Sequence, residues 1–227
     1  GVCNACRYWE RKESSINWQE RENSLEELVH KHKRKEGYDV LVPSSGGKDS
    51  AFVAHQLKNR FGMKPLLVTW APHAYTDIGR YNFESLVHAG FDTMSMQPDG
   101  LLHRKMTLLA TAAVGDPFLP FIWGQFNYVF HLAEMMDIPM VMFGENANAE
   151  YGGLSETEEM SGIPWDQFAE NWWKGVTPAK LFALGLEVGL LSDQEVESAS
   201  AFYFPVDPSR LDEKGIKQYF YGYFVDW

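Results

Sequence analysis

The chain is poor in cysteine, in positive charge and in long apolar runs, and each shortage closes off a class of function. Only Cys3 and Cys6 carry thiols among its 227 residues. A chain of this length buries roughly 70% of its unfolded surface, so a full core forms without disulfide staples. Lys and Arg number 20 against 31 Asp and Glu, for a net charge of −11. Nucleic-acid enzymes display a basic face, so this balance counts against an RNA or DNA substrate. The densest basic run, Lys31-His32-Lys33-Arg34-Lys35, reads as the solvated last turn of a helix, where cations suit the dipole. No apolar run reaches the ~18 residues of a membrane span, and no signal peptide opens the sequence. The expectation is a cytoplasmic protein that engages neither nucleic acid nor membrane. Internal repeats and low-complexity tracts are also missing.

What is present is apolar and aromatic: 45% hydrophobic residues, with 15 Phe, 10 Tyr and 8 Trp. The two thiols stand at Cys-x-x-Cys spacing, which supplies two of the four ligands of a structural zinc site. The pair reads as half of a zinc knuckle whose other half lies upstream. A redox dithiol would want a following helix in a thioredoxin-like setting, which the sequence does not signal; two unrelated thiols are the remaining alternative.

Apolar runs at 38–42 and 65–70 read as core strands, and 91–96 and 139–143 read as the third and fourth strands. Helical periodicity covers 50–61, 78–89, 101–114 and 122–137. Ser24 and Glu27 fit a capping box and predict a helix over 25–35, closed by Gly37. Two prolines break the chain over 116–120. Short helices are expected over 165–173, 178–186 and 192–199, and a strand over 202–206. Residues 218–227 read only as aromatic. Alternating strands and helices predict an α/β fold with a doubly wound parallel sheet. Ligands of such sheets sit at the carboxyl ends of the strands, near a switch point.

The most informative string is Ser45-Gly46-Gly47-Lys48-Asp49-Ser50. It lies between the first strand and a helix. Such a turn leaves backbone N–H groups at a helix N-terminus, where the dipole favours an anion. Its glycines let the backbone approach a phosphate, and its serines add hydroxyls. The spacing is not that of the Walker loop. The string resembles the PP-loop of ATP pyrophosphatases, enzymes that cleave ATP between the α and β phosphates.

A wider set of segments is similar to one branch of that superfamily, the N-acetyl sugar amidotransferases of bacterial surface-polysaccharide and lipopolysaccharide synthesis. They are residues 1–6, 45–50, 68–72, 76–80 with Asn82, 103–105, 115–118, Gly124-Gln125, Gly144-Glu145-Asn146 and 150–153. The resemblance implies an adenine-nucleotide α-hydrolase-like fold. It divides the chain into an appendage with a partial zinc knuckle (1–22), a nucleotide-binding core (23–150) and a mostly helical substrate or partner region (151–227), truncated at its C-terminus. It implies ATP-dependent conversion of an acetamido group on a nucleotide-linked sugar, such as a UDP-diacetamido-uronic acid, into an acetamidino group. Ammonia would come from a separate glutaminase subunit, with a cyclase-like tunnel subunit as a further partner. The alternatives are a tRNA thiolase of the same superfamily, disfavoured because no cysteine follows Cys6, and a nucleotide-binding subunit without catalysis.

Under that resemblance Ser45, Gly46, Gly47, Lys48, Asp49 and Ser50 hold the pyrophosphate of ATP, and Asp49 binds Mg²⁺ or orders the loop. Val68, Thr69 and Trp70 meet adenine, while Gly144 and Asn146 stand beside the α-phosphate. Glu145, Asp116 and Glu150 are the further catalytic carboxylates. Arg80, Asn82, His103, Arg104, Lys105, Gln125 and Tyr151 are the candidates for the sugar and its diphosphate. Cys3 and Cys6 are the candidate Zn²⁺ ligands.

Overall fold

Strands made of Val, Leu, Met and Phe with little polar alternation need cover on both faces, and a parallel sheet with helical crossovers provides it. The computed structural model describes residues 1–145, 160–163, 173 and 175–226. Five strands form one all-parallel sheet in the order β3-β2-β1-β4-β5: β1 (Val40–Pro43), β2 (Pro65–Trp70), β3 (Asp92–Met96), β4 (Met140–Phe143) and β5 (Lys217–Phe220). The order runs outward from β1 to β3, then restarts at β4 on the other side of β1. That reversal is the arrangement of doubly wound sheets, and it opens a crevice between the carboxyl ends of β1 and β4.

Alternate residues of β1, β2 and β4 feed two cores, while β3 at the sheet edge is largely exposed. Val40, Val42, Leu67, Met140 and Met142 pack with Leu25, Val29, Val53 and Leu57. These come from α2 (Trp18–His32), α3 (Lys48–His55) and the π-helical turn that continues it (Gln56–Arg60). Leu86 of α4 (Asp77–His88) joins the same layer. Leu41, Leu66, Val68, Trp70 and Val141 face the other way, onto α5 (Gly100–Val114) and α6 (Leu119–Met135). The remaining helices among the described residues are α1 (Asn4–Ser15), α7 (Pro178–Glu187), α8 (Asp193–Glu197), α9 (Pro208–Glu213) and α10 (Tyr221–Phe224). No single helix among the described residues is long and apolar enough to cross a membrane.

Three sequence expectations need correction. The helix predicted over 25–35 begins at Trp18, capped by the Asn17 side chain, which accepts from Glu20 N–H at 3.2 Å. Ser24 lies inside it and donates to Glu20 O at 2.9 Å, the back-bonding available to a mid-helix serine. The boundary expected between 22 and 23 therefore falls within a continuous helix. The strand predicted over 202–206 is a 3₁₀ turn (Ala201–Tyr203) capped by Ser200. The edge strand comes instead from Lys217–Phe220, in the stretch read only as aromatic. The helix predicted over 165–173 lies outside the described residues, apart from Trp173 itself.

The N-terminal helices pack against the far end of the chain. Lys12 Nζ pairs with Asp226 at 2.6 Å and lies over the rings of Trp9 and Trp18. Arg21 donates to Tyr223 O at 3.1 Å and stacks on the Tyr223 ring. Gly222 N–H in turn donates to Gly144 O at 3.1 Å, so α10 braces the end of β4.

Candidate functional site

The phosphate-type loop leaves the sheet where the β1–β2 ladder stops. Ser44 N–H donates to Val68 O at 2.8 Å as the last backbone rung, and Thr69 Oγ1 then donates to Ser44 O at 2.6 Å. Gly46 takes a positive φ of 82°, and a Cβ there would stand 3.1 Å from Phe83 N and 3.3 Å from Phe83 Cα. Glycine is required twice over, by backbone conformation and by the approach of α4. Gly47 is the N-cap of α3 and offers no side-chain cap. The first-turn N–H groups of α3 therefore have no acceptor within the helix and point out of its N-terminus. Within the loop, Gly47 N–H reaches Ser45 Oγ at 3.3 Å, and Ser50 Oγ lies 3.1 Å from Ser44 Oγ and 3.2 Å from Gly47 O.

A cleft of about 260 Å³ opens at this loop, at the switch point between β1 and β4. Ser45, Gly47, Asp49 and Ser50 form one wall, and Gly144 and Glu145 at the end of β4 form the opposite one. Gln125 and Ile122 reach in from α6, and Pro43, Phe126, Phe143 and Phe220 make an apolar floor. The described lining carries two carboxylates, Asp49 and Glu145, and no lysine or arginine. A polyphosphate entering here would meet N–H groups and hydroxyls together with two negative charges. That oxygen donor set suits a hard divalent cation such as Mg²⁺.

Other candidates lie elsewhere. Lys48 is 88% exposed, does not line the cleft, and pairs with Asp49 Oδ1 at 2.5 Å. Val68 and Trp70 bury their side chains in the core beneath α6, and Thr69 turns its hydroxyl to Ser44. The Trp70 ring is only 3% exposed and edges onto Tyr203, so it has no free face for adenine. Asp116 accepts from Phe118 N–H at 2.9 Å ahead of α6, away from the cleft lining. Arg80 lies over the Tyr75 ring, and Asn82 runs beside the loop, its carbonyl carbon 3.5 Å from where a Cβ on Gly46 would stand.

The run 103–105 does not act as one cationic clamp, because successive helix residues face different directions. His103 is 4% exposed, with Nδ1 2.8 Å from Tyr203 Oη and the His73 ring 4.3 Å away. Arg104 is exposed, and Lys105 pairs with Glu195 at 2.5 Å. That ion pair, with Ser192 behind it, holds Glu195 down at about 2. Asn146, Glu150 and Tyr151 lie outside the described residues.

Burial, with His73 beside it, lowers the pKa of His103 to about 4 from an ordinary 6.5. The folded chain thus keeps this imidazole neutral while an unfolded chain would protonate it. Its contribution to stability is intact above pH 6.5 and is lost as pH falls from 6.5 towards 4. At most about 3 kcal/mol is involved, from 1.36 kcal/mol per pKa unit. Melting temperatures at pH 7.5 and 5.0 are expected to differ less for His103→Gln than for the wild type. Equal acid losses would exclude His103 as the cause.

Cys3 is the N-cap of α1, and its Sγ lies 3.4 Å from Cys6 Sγ. Both thiols are exposed and reduced. The pair therefore opens a helix that the sequence did not signal, with Cys3 as its N-cap and Cys6 inside its first turn. Two thiolates on a tetrahedral zinc stand about 3.8 Å apart for Zn–S bonds near 2.3 Å, so the pair fits one edge of such a site. Among the described residues no group of three or more His, Cys, Asp or Glu side chains is placed to complete it.

Sequence reasoning found one wall of the cleft and the end of β4. It missed Ser44, which directly precedes the motif, and the apolar floor. Ile122 and Phe126 look like any core-facing residues of a helix, and Phe220 belongs to a strand with no pattern of its own. No protein-family model matches the chain, and no curated protein matches it.

Proposed function

We propose that the protein is an ATP-dependent, AMP-forming amidotransferase that converts the acetamido group of a nucleotide-linked N-acetyl sugar into an acetamidino group. The observation that carries this reading is the placement of the Ser45–Ser50 loop across the switch-point cleft from Gly144 and Glu145. The motif resembles the PP-loop, and the crevice is where a doubly wound sheet binds nucleotides. The choice of a sugar amide rests on the other sequence segments.

The chemistry fits those residues. An amide oxygen is a poor leaving group. The acetamido oxygen attacks the α-phosphorus of ATP, the bond to the β-phosphate oxygen breaks, and pyrophosphate departs. Ammonia attacks the activated carbon, a proton is lost from nitrogen, and the carbon–oxygen bond breaks to release AMP. The first-turn N–H groups of α3 and the Ser45 hydroxyl receive the departing pyrophosphate. Asp49 would hold Mg²⁺, which neutralises charge on the phosphates when bound. Gln125 lines the same cleft and is assigned to meet the sugar amide. A carboxylate there also serves as acceptor for the ammonia-derived proton, and Glu145 is assigned that role. The attacking nitrogen must be unprotonated NH₃. An amine of pKa ~10.4 is roughly 99.9% protonated at pH 7, so a separate glutaminase subunit is the proposed source. The two exposed N-terminal thiols provide no glutaminase nucleophile within the cleft.

The reading is tested by incubating the protein with ATP, Mg²⁺, ammonium and a UDP-linked diacetamido uronic acid. Pyrophosphate is followed by coupled assay and the sugar by mass spectrometry. The expected product is sugar in which NH replaces the amide oxygen, formed in step with AMP. Sugar-dependent AMP with no change in sugar mass would overturn the amidotransferase reading.

A further inference from the structure

We infer that Thr69 and Ser44 are positioning residues that set the shape of the phosphate loop, with Thr69 acting through Ser44 on Ser50. Thr69 belongs to β2 and stands outside the loop motif. Its hydroxyl, on a side chain 3% exposed, donates to Ser44 O at 2.6 Å. Ser44 is itself buried and precedes the motif. From Ser44 Oγ the network reaches two loop groups: Gly46 N–H at 3.4 Å and Ser50 Oγ at 3.1 Å. Ser50 Oγ is in turn 3.2 Å from Gly47 O. One direction of donation satisfies the set, from Gly46 N–H to Ser44 Oγ, from Ser44 Oγ to Ser50 Oγ, and from Ser50 Oγ to Gly47 O.

The physical argument is about where the sheet lets go. Beyond Ser44 N–H no further β1–β2 rung forms, because the chain must leave the sheet to wrap the cleft. Ser44 O would then be a buried carbonyl without its strand partner, and a buried acceptor left unsatisfied is costly. The Thr69 hydroxyl replaces that rung and fixes the peptide plane from which Ser45, Gly46 and Gly47 project. Gly46 is meanwhile pressed against α4 at Phe83, so the loop is held from both sides. Thr69 touches no phosphate in this account; it determines where the donors stand.

The inference rests on the proposed nucleotide reading, and the experiment separates the two. Binding of Mg·ATP and of inorganic pyrophosphate is measured by calorimetry for wild type, Thr69→Val, Thr69→Ser and Ser44→Ala, alongside melting temperatures. Failure of the wild type to bind either ligand overturns the nucleotide reading. If it binds, Thr69→Val is expected to weaken both ligands about tenfold to a hundredfold, as for loss of a buried hydrogen bond. Thr69→Ser keeps the hydroxyl and is expected to stay within about threefold of wild type, which loss of stability alone would not explain. Ser44→Ala is expected to weaken pyrophosphate binding and decides the matter should Thr69→Val not fold. Wild-type affinity in a folded Thr69→Val, or in Ser44→Ala, overturns the positioning role.

Discussion

Asp49→Asn is expected to lower Mg²⁺-dependent pyrophosphate release by about 10²–10³-fold, the scale seen when one preorganised electrostatic group is removed from a reacting site. Asparagine matches aspartate in size and can still accept N–H bonds from the loop, so the substitution removes charge and little else. Asp49 lies in the first turn of α3 and shares the cleft with Glu145. Its ion pair with Lys48 is formed by a lysine that is 88% exposed, so breaking that pair costs little stability. The melting temperature should therefore stay near that of the wild type while turnover collapses. The variant also separates two roles for this carboxylate. An aspartate that only orders the loop would tolerate asparagine; one that holds Mg²⁺ would not. Turnover near wild type in Asp49→Asn would remove the charge from the mechanism.

Gly124→Ala is expected to destabilise the fold by about 3 kcal/mol or more, at the upper end of what overpacking costs in a filled core. A Cβ at this position would stand 2.1 Å from Trp70 Cε2 and 2.4 Å from Cζ2. Neither side can yield easily. Trp70 is buried between α6 and Tyr203, and Gly124 lies in the middle of α6. For a chain of this size the shift corresponds to a melting temperature lower by about 6–12 °C. Trp70→Phe, which shortens the ring system facing Gly124, should recover part of the loss in the double variant while costing stability alone. That non-additive result is the signature of a direct contact. A Gly124→Ala protein melting within 2 °C of wild type would show that α6 and Trp70 separate more readily than their packing indicates.

The inner strands β1, β2 and β4 were legible because their composition admits one environment. Residues 65–70 and 139–143 offer too few polar side chains for a solvated face, so a doubly covered parallel sheet follows. The phosphate-type loop was legible because two glycines between a strand and a helix have few other uses. Residues with two competing uses were not. Thr69 and Trp70 stand at the end of a strand, where a side chain can face ligand or core; the approach of Gly124 admits the Trp70 ring to the core, and Ser44 O takes the Thr69 hydroxyl. The run 103–105 looked like one patch because adjacency in sequence was taken for adjacency in space. Ser24 and Glu27 match a capping box, but Asn17 caps the longer helix, and the box forms at Ser192 and Glu195 instead. β5 carries Lys217, Gln218, Tyr219 and Phe220, whose mixed character fits an edge position and signals little.

The pairing of β5 with β4 has a consequence for when the cleft comes into being. The loop, β1 and β2 belong to the early part of the sequence, but Phe220 on the cleft floor and Gly222 behind Gly144 come near its other end. The Arg21–Tyr223 bond closes a separation of 202 residues. Contacts of such long range form late, because loop closure must precede them. During synthesis the Ser45–Ser50 loop thus emerges well before the opposite wall and floor of its cleft. A ligand of the cleft is therefore expected to select the finished fold and to give little help to partly made chains, whose exposed β4 edge awaits β5.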